Sequence, residues 1–289
     1  MTATLDAAPV ERWSVPFHRL FRAELRWIFR RPRTLIVLGL LALIPVIIGI
    51  GLTIAANNDA QAGGGGGGGD SLLTAAAGNA LVLPLATLGV TLNLMLPLIT
   101  AMSAGDALAG ESSVGTLRGL LLAPVSRGRL LLMKALGVAT FTLAAALLMA
   151  VVAMATGLVI NGTGSLFTLS GNTLSVVDAL GRVALAAAWV TLQLWAVGAI
   201  ALAISACTEH PMLVVVSILA GVVVSSVLLL LSAVDWLHPF LLPQSWTAIA
   251  DILRDPIPAD QLGEGAIRAA CYVVIGLSLA YARLSTKDG

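Results

Sequence analysis

Six long apolar runs constrain this chain more than any other feature. They cover roughly residues 35–56, 80–104, 130–160, 183–206, 212–234 and 266–284, and none contains an Asp or Glu. A bilayer core takes about 20 mostly apolar residues per helix. In lipid, only a helix or a closed barrel satisfies every backbone N–H and C=O. Unbroken runs of this length read as helices, even the β-branched fifth one. The third is long enough to tilt or to extend beyond the membrane. Hydrophobic residues make up 58% of the chain and charged residues 11%. Soluble domains carry about 25% charged residues, so this surface is not built for water. The expectation is an all-α membrane protein, a single domain over residues 1–289, with six transmembrane helices. No cleavable leader is expected, because the first apolar run is long enough to span.

Lys and Arg collect on the cytoplasmic side of a bilayer. With both termini inside, 13 of the 16 basic residues fall on that side and only Arg182, Arg254 and Arg268 lie outside. Both ends are therefore expected in the cytoplasm, and the Ala- and Gly-rich composition hints at a bacterial plasma membrane. The outer loops are then about 57–79, 161–182 and 235–265. In the first, Gly63–Gly69 reads as a flexible linker. It is no phosphate loop, since GxxxxGK[ST] occurs nowhere in the chain. The third loop carries Asp251, Asp255, Asp260 and Glu264. Its SWTAIADILRD stretch is expected to form a short helix at the outer surface, with the acids on a solvated face. Cys207 and Cys271 lack metal or redox spacing and read as small apolar side chains.

Residues 17–31 read FHRLFRAELRWIFRR. Phe17, Leu20, Phe21, Leu25, Ile28 and Phe29 share one helical face, and Arg19, Arg22, Arg26 and Arg30 occupy the other. That is the pattern of a helix lying in the membrane interface, with Trp27 at the boundary. Pro32 ends it.

The spans hold almost nothing ionisable. Lys134, Arg268 and Arg283 sit near span ends, where long side chains snorkel to the interface. Ion-coupled transporters place ionisable groups at membrane depth, and this chain does not. It also lacks a nucleotide motif, so any energy for transport arrives from a partner. Asn93 and Gln193 are the most polar residues inside spans and read as helix-packing glue or as part of a pathway. Pro45, Pro84 and Pro97 are expected to kink their helices. An intramembrane enzyme or a non-transporting assembly factor is the competing reading. The enzyme reading finds no HExxH and no GxSxG, and His18, His210 and His238 are isolated. No metal site and no nucleic-acid partner are expected.

The segment Gly105–Gly137, GDALAGESSVGTLRGLLLAPVSRGRLLLMKALG, joins the second and third spans. Residues 106–123 are expected to form a cytoplasmic helix, with Val114, Leu117 and Leu121 on one face and Pro124 as its stop. A short amphipathic helix between two spans is shaped to dock into a groove on a soluble partner. An acidic residue (Glu111), Gly115-Thr116-Leu117, Leu120-Leu121, Pro124-Val125-Ser126-Arg127 and Lys134 stand at the spacing seen in ABC-2-type exporter permeases. As a set these residues resemble that family, closest to the branch named for multicopper-enzyme maturation. The six spans, the interfacial helix and the outer segment before the last span extend the resemblance over most of the chain. It implies a transport subunit, not an enzyme, that pairs with itself or with a second permease. It also implies two separate ATPase chains that hold the ATP and Mg, while this chain binds no cofactor. Asp106, Glu111, Gly115, Thr116, Leu117, Leu121, Pro124, Arg127 and Lys134 would then couple to the ATPase. Glu111 would pair with a basic residue nearby or on the ATPase. Arg127 and Lys134 would hold the loop to headgroups or to Glu111 and Asp106.

Overall fold

The computed structural model describes residues 16–62, 76, 79–113, 115, 126–162, 166, 168 and 172–286. Its regular elements are helical. The amphipathic segment forms α1, Phe17–Arg30, and one residue later α2 begins, Pro32–Ala62. Pro32 suits a helix start, because its missing N–H is one that no helix bond uses. The second apolar run is divided into α3, Val82–Leu92, and α4, Met95–Ser113. Then come α5, Arg127–Asn161, α6, Val176–Cys207, and α7, Pro211–Leu228. Two 3-10 segments, Ser232–Phe240 and Leu242–Leu253, lead to α8, Ala259–Thr286. Among the described residues, five helices are long and apolar enough to cross a bilayer, and the bent α3–α4 pair makes a sixth candidate.

Other expectations about the spans need correction, but the kink expected of Pro97 is present, since α3 and α4 meet at a 56° bend. Pro97 explains it, because it has no N–H for the carbonyl of Asn93 and its ring crowds that carbonyl. Pro84 falls in the first turn of α3 and α2 runs on through Pro45, so neither divides its helix. The fifth helix stops at Leu228, short of Val234. The SWTAIADILRD stretch is not a surface helix either. Leu242, Trp246, Ile249, Ile252 and Leu253 are buried, and the segment packs against α3, α6 and α8. Asp251, expected on a solvated face, is 6% exposed and pairs with Arg254 at 3.3 Å. Asp255 pairs with Arg182 at 3.4 Å. Arg182 also donates to the carbonyls of Ile252 and Arg254. Asp255 and Arg182 thus tie the end of the 3-10 segment to the start of α6.

The bundle is organised around α6. Two-thirds (67%) of its apolar window is buried, against 39% or less for the other full-length spans. Small residues let its neighbours approach closely, the usual route to helix association in lipid. Gly276 of α8 lies directly on Ala199 of α6, and Gly265 lies on the Trp189 ring. Gln193, fully buried, sits between them. It donates to the Gly265 carbonyl at 3.3 Å and accepts from Ser245 at 3.2 Å. In this structure Gln193 is packing glue across three elements. The large apolar residues of α2, such as Ile36, Leu40 and Ile47, are exposed, as expected of a lipid-facing helix.

Candidate functional site

Most of the charge in the described bundle gathers at one end, where α1, the start of α2, the end of α4 and the start of α5 meet. The apolar stripe of α1 turns toward the protein, and Glu24 lies four residues from both Leu20 and Ile28. The stripe therefore carries a carboxylate inward, and Glu24 is the one buried residue of α1. Opposite it stands Lys134 in the second turn of α5. Ser126 caps that helix, its Oγ accepting from the Arg129 N–H. Gly137, three residues beyond Lys134, leaves room for the approach. A Cβ there would meet Ile28 at 3.0 Å and Glu24 at 3.3 Å.

Lys134 is not the snorkelling residue its place in the sequence suggests, for it is only 1% exposed. Its Nζ donates to both oxygens of Glu24, at 2.9 and 3.1 Å, and to Glu111 Oε1. Glu111 comes from the last turns of α4 and is itself buried. Five residues earlier on α4, Asp106 accepts from Arg33 at 3.2 Å and lies 3.8 Å from Arg31. The Arg31 guanidinium stacks on Trp27, 3.1 Å from the ring centroid. Partial burial lowers the pKa of Arg31, outweighing the attraction of Asp106, Glu111 and Glu24; a guanidinium stays charged regardless. A small cavity of about 50 Å³ opens beside the network, with Glu24, Arg31, Asp106 and Lys134 in its wall. Three carboxylates thus face three cations, drawn from four parts of the chain. The buried part, Glu24, Lys134 and Glu111, adds little net stability as a matched group, but removing one of its members strands a buried charge.

The expected coupling residues divide into four groups. Asp106, Glu111 and Lys134 join the network. Arg127 does not: it donates to the carbonyls of Leu284 and Ser285, capping the last turn of α8. Those carbonyls have no partner within the helix, which is why a guanidinium at the start of α5 is drawn there. Thr116, Leu117, Leu121 and Pro124 lie outside the described residues, as does the Gly63–Gly69 run. The expected separate helix begins differently from its sequence reading. Asp106 and Glu111 belong to α4 itself, which ends at Ser113. Gly115 follows with φ +77°, in the left-handed region that favours glycine.

Glu24, Arg33 and Ser205 escaped the sequence reading. The signal for Glu24 was present, as an acid centred in an apolar stripe. Nothing local marks Ser205. From the end of α6 its Oγ accepts from the Ala109 N–H at 2.9 Å and donates to the Gly105 carbonyl at 3.3 Å. Gly105 and Ala109 are the i and i+4 partners of an ordinary helix. The hydroxyl is therefore inserted into the ladder of α4, one of the recognised causes of local helix opening. Pro211 presses on the same spot, its carbonyl 3.1 Å from where a Gly105 Cβ would be. We expect Ser205→Ala to cost about 1–2 kcal/mol and to speed amide exchange of residues 105–111. Exchange read peptide by peptide checks this, and an unchanged 105–111 segment would contradict it.

The other arginines of α1, Arg19, Arg22, Arg26 and Arg30, are exposed, and Trp27 is partly so. Asn93, at the α3–α4 break, is also exposed and donates to the Gly89 carbonyl at 3.1 Å. It does not meet Gln193. Curated proteins offer no match to this chain. The sequence does match, over residues 19–288, the family described as ABC-2 family transporter protein. That span is almost the whole chain, bundle and ion network included, and the chain belongs to this family as a multi-pass membrane permease component of an ABC transporter.

Proposed function

We propose that this chain is the transmembrane subunit of an exporter in a bacterial plasma membrane, driven by two separate ATPase chains that hold ATP and Mg. In this reading both termini are cytoplasmic, α1 lies at the inner membrane surface, and the 106–129 segment receives the ATPase. The observation that carries it is the position of Asp106 and Glu111. Both sit on the last turns of a span, just before the 114–125 segment; Glu111 is clamped to α5 by the buried Lys134, and Asp106 is tied to the start of α2 by the more exposed Arg33. A push on that segment reaches α1, α2 and α5 together. The loop sequence keeps its closest resemblance to the multicopper-maturation branch, a name that says little about cargo. Family membership favours this transport role over an intramembrane enzyme.

The chain pairs, in the same reading, with a second copy or a second permease across the face that carries Asn93. Broken backbone at membrane depth is tolerated only against protein or water. An exposed Asn93 at the break supports that side as the pairing and pathway face.

Thiol labelling tests the topology on which this depends. With Cys207 and Cys271 replaced by Ser, Ser126→Cys and Val177→Cys are introduced one at a time; both positions are exposed. An impermeant maleimide added to intact cells is expected to label Val177→Cys, and Ser126→Cys only after permeabilisation. Purification of the native chain is expected to bring an ABC ATPase with it. Labelling of Ser126→Cys from outside would sink the proposal.

A further inference from the structure

We infer that the elbow between α1 and α2 is a binding site for the phosphate of an anionic phospholipid. Six arginines lie between residues 19 and 33. Asp106 serves Arg31 and Arg33. Glu24, the only acid on α1, is turned inward and engaged by Lys134. Among the described residues no acid pairs with Arg19, Arg22, Arg26 or Arg30. Two of these, Arg26 and Arg30, share one concavity with Arg31, and Ala23, Trp27 and Pro32 complete its wall. Asp106 offsets part of the charge of Arg31, but no acid among the described residues offsets Arg26 or Arg30 beside it, and a phosphate offers the acceptor oxygens that guanidinium forks match.

The depth of the site argues for a lipid as the source. Pro32 is the first residue of a helix long enough to span. Leu35, Ile36 and Leu40, within its first nine residues, are all more than half exposed. Acyl chains lying on those residues bring a headgroup phosphate level with Arg30 and Arg31. The partly exposed Trp27 ring marks the same interface. Arg31 also faces Asp106, so the lipid and the end of α4 share one cation. A bound phosphate then helps to fix the arm that carries Asp106 and Glu111. The site rests on α1 lying at the membrane surface, but not on an ATPase driving the chain.

The test is thermal unfolding of the purified full chain in neutral maltoside micelles. Dioleoylphosphatidylglycerol, dioleoylphosphatidylcholine or inorganic phosphate is titrated in. The glycerol lipid is expected to raise the native Tm by roughly 5 °C, while the choline lipid and free phosphate leave it within about 1 °C. Arg26→Gln/Arg30→Gln is expected to lose more than half of that rise. Arg19→Gln/Arg22→Gln removes the same charge outside the hollow and is expected to keep it. Equal rises with both lipids, or equal losses in both double variants, would reduce the effect to general solvation or surface charge and overturn the site. A rise with free phosphate alone would make it a soluble-anion site. No rise with any probe, joined to loss of ATPase binding in Arg26→Gln/Arg30→Gln, would make the ridge a protein contact. Both results reject the lipid. An error in topology would appear separately, in the thiol labelling.

Discussion

Lys134→Met should lower the stability of the chain by about 3–5 kcal/mol, the usual cost of breaking a buried ion group by removing one partner. Methionine nearly matches the shape of the lysine stem, so the loss is one of charge. Glu24 and Glu111 converge on the Nζ of Lys134 from two different helices. Without it they face each other in a site with little water. Thermal unfolding in micelles should show Tm falling by on the order of 10 °C. The triple variant Glu24→Gln/Lys134→Met/Glu111→Gln separates this account from a simple packing defect. It removes all three charges while keeping size, and neutral replacement of a whole buried network costs little. The triple variant should therefore recover most of the loss. A Lys134→Met chain as stable as the native one would show that the three side chains do not form the network.

Gly276→Leu should be the most damaging change in the middle of the bundle. A Cβ at Gly276 would lie 2.6 Å from the Ala199 carbonyl carbon and 2.8 Å from its oxygen. Those are backbone atoms of α6, which cannot turn aside as a side chain does. The α6–α8 pair is the most extensive helix contact in the structure, so a leucine must push the two helices apart along much of their length. Overpacking usually costs about 1–3 kcal/mol, and the upper end or beyond is expected where backbone meets backbone. Gly263→Leu on the same helix is the control. Nothing lies within 4 Å of a Cβ there, and a substitution free of contacts usually stays within about 0.5 kcal/mol. Unfolding midpoints of the two variants decide it. Equal midpoints would mean that α6 and α8 do not touch at Gly276.

These two sites differ in how far the sequence reveals them. Gly276 is one of 29 glycines, and nothing local sets it apart. Its role comes from Ala199, 77 positions earlier. Lys134 could be read as a topological charge near a span end, because a single sequence does not say which way a helix turns. The resemblance in the 105–137 segment did draw attention to Glu111 and Lys134, and listed their pairing among several. It gave no hint of Glu24 as the second carboxylate, because Glu24 lies 110 residues away on α1. Arg127 was drawn from the same motif, yet its guanidinium goes to the end of α8. Adjacent residues of one motif thus serve different ends of the chain.

The sequence alone determined that this chain is helical and belongs in a bilayer, because lipid leaves the backbone no other economy over runs of some 20 apolar residues. It also determined roughly where most of those helices lie, and Pro97 already held the reason for the bend between α3 and α4. The tertiary structure decided which faces meet. In an apolar chain almost every face of a span is hydrophobic, so periodicity cannot separate the side that packs on protein from the side that meets lipid. Contact at glycines, the burial of Lys134 between two carboxylates and the insertion of Ser205 into α4 each depend on distant segments arriving at one place. Local pattern carries no record of that arrival.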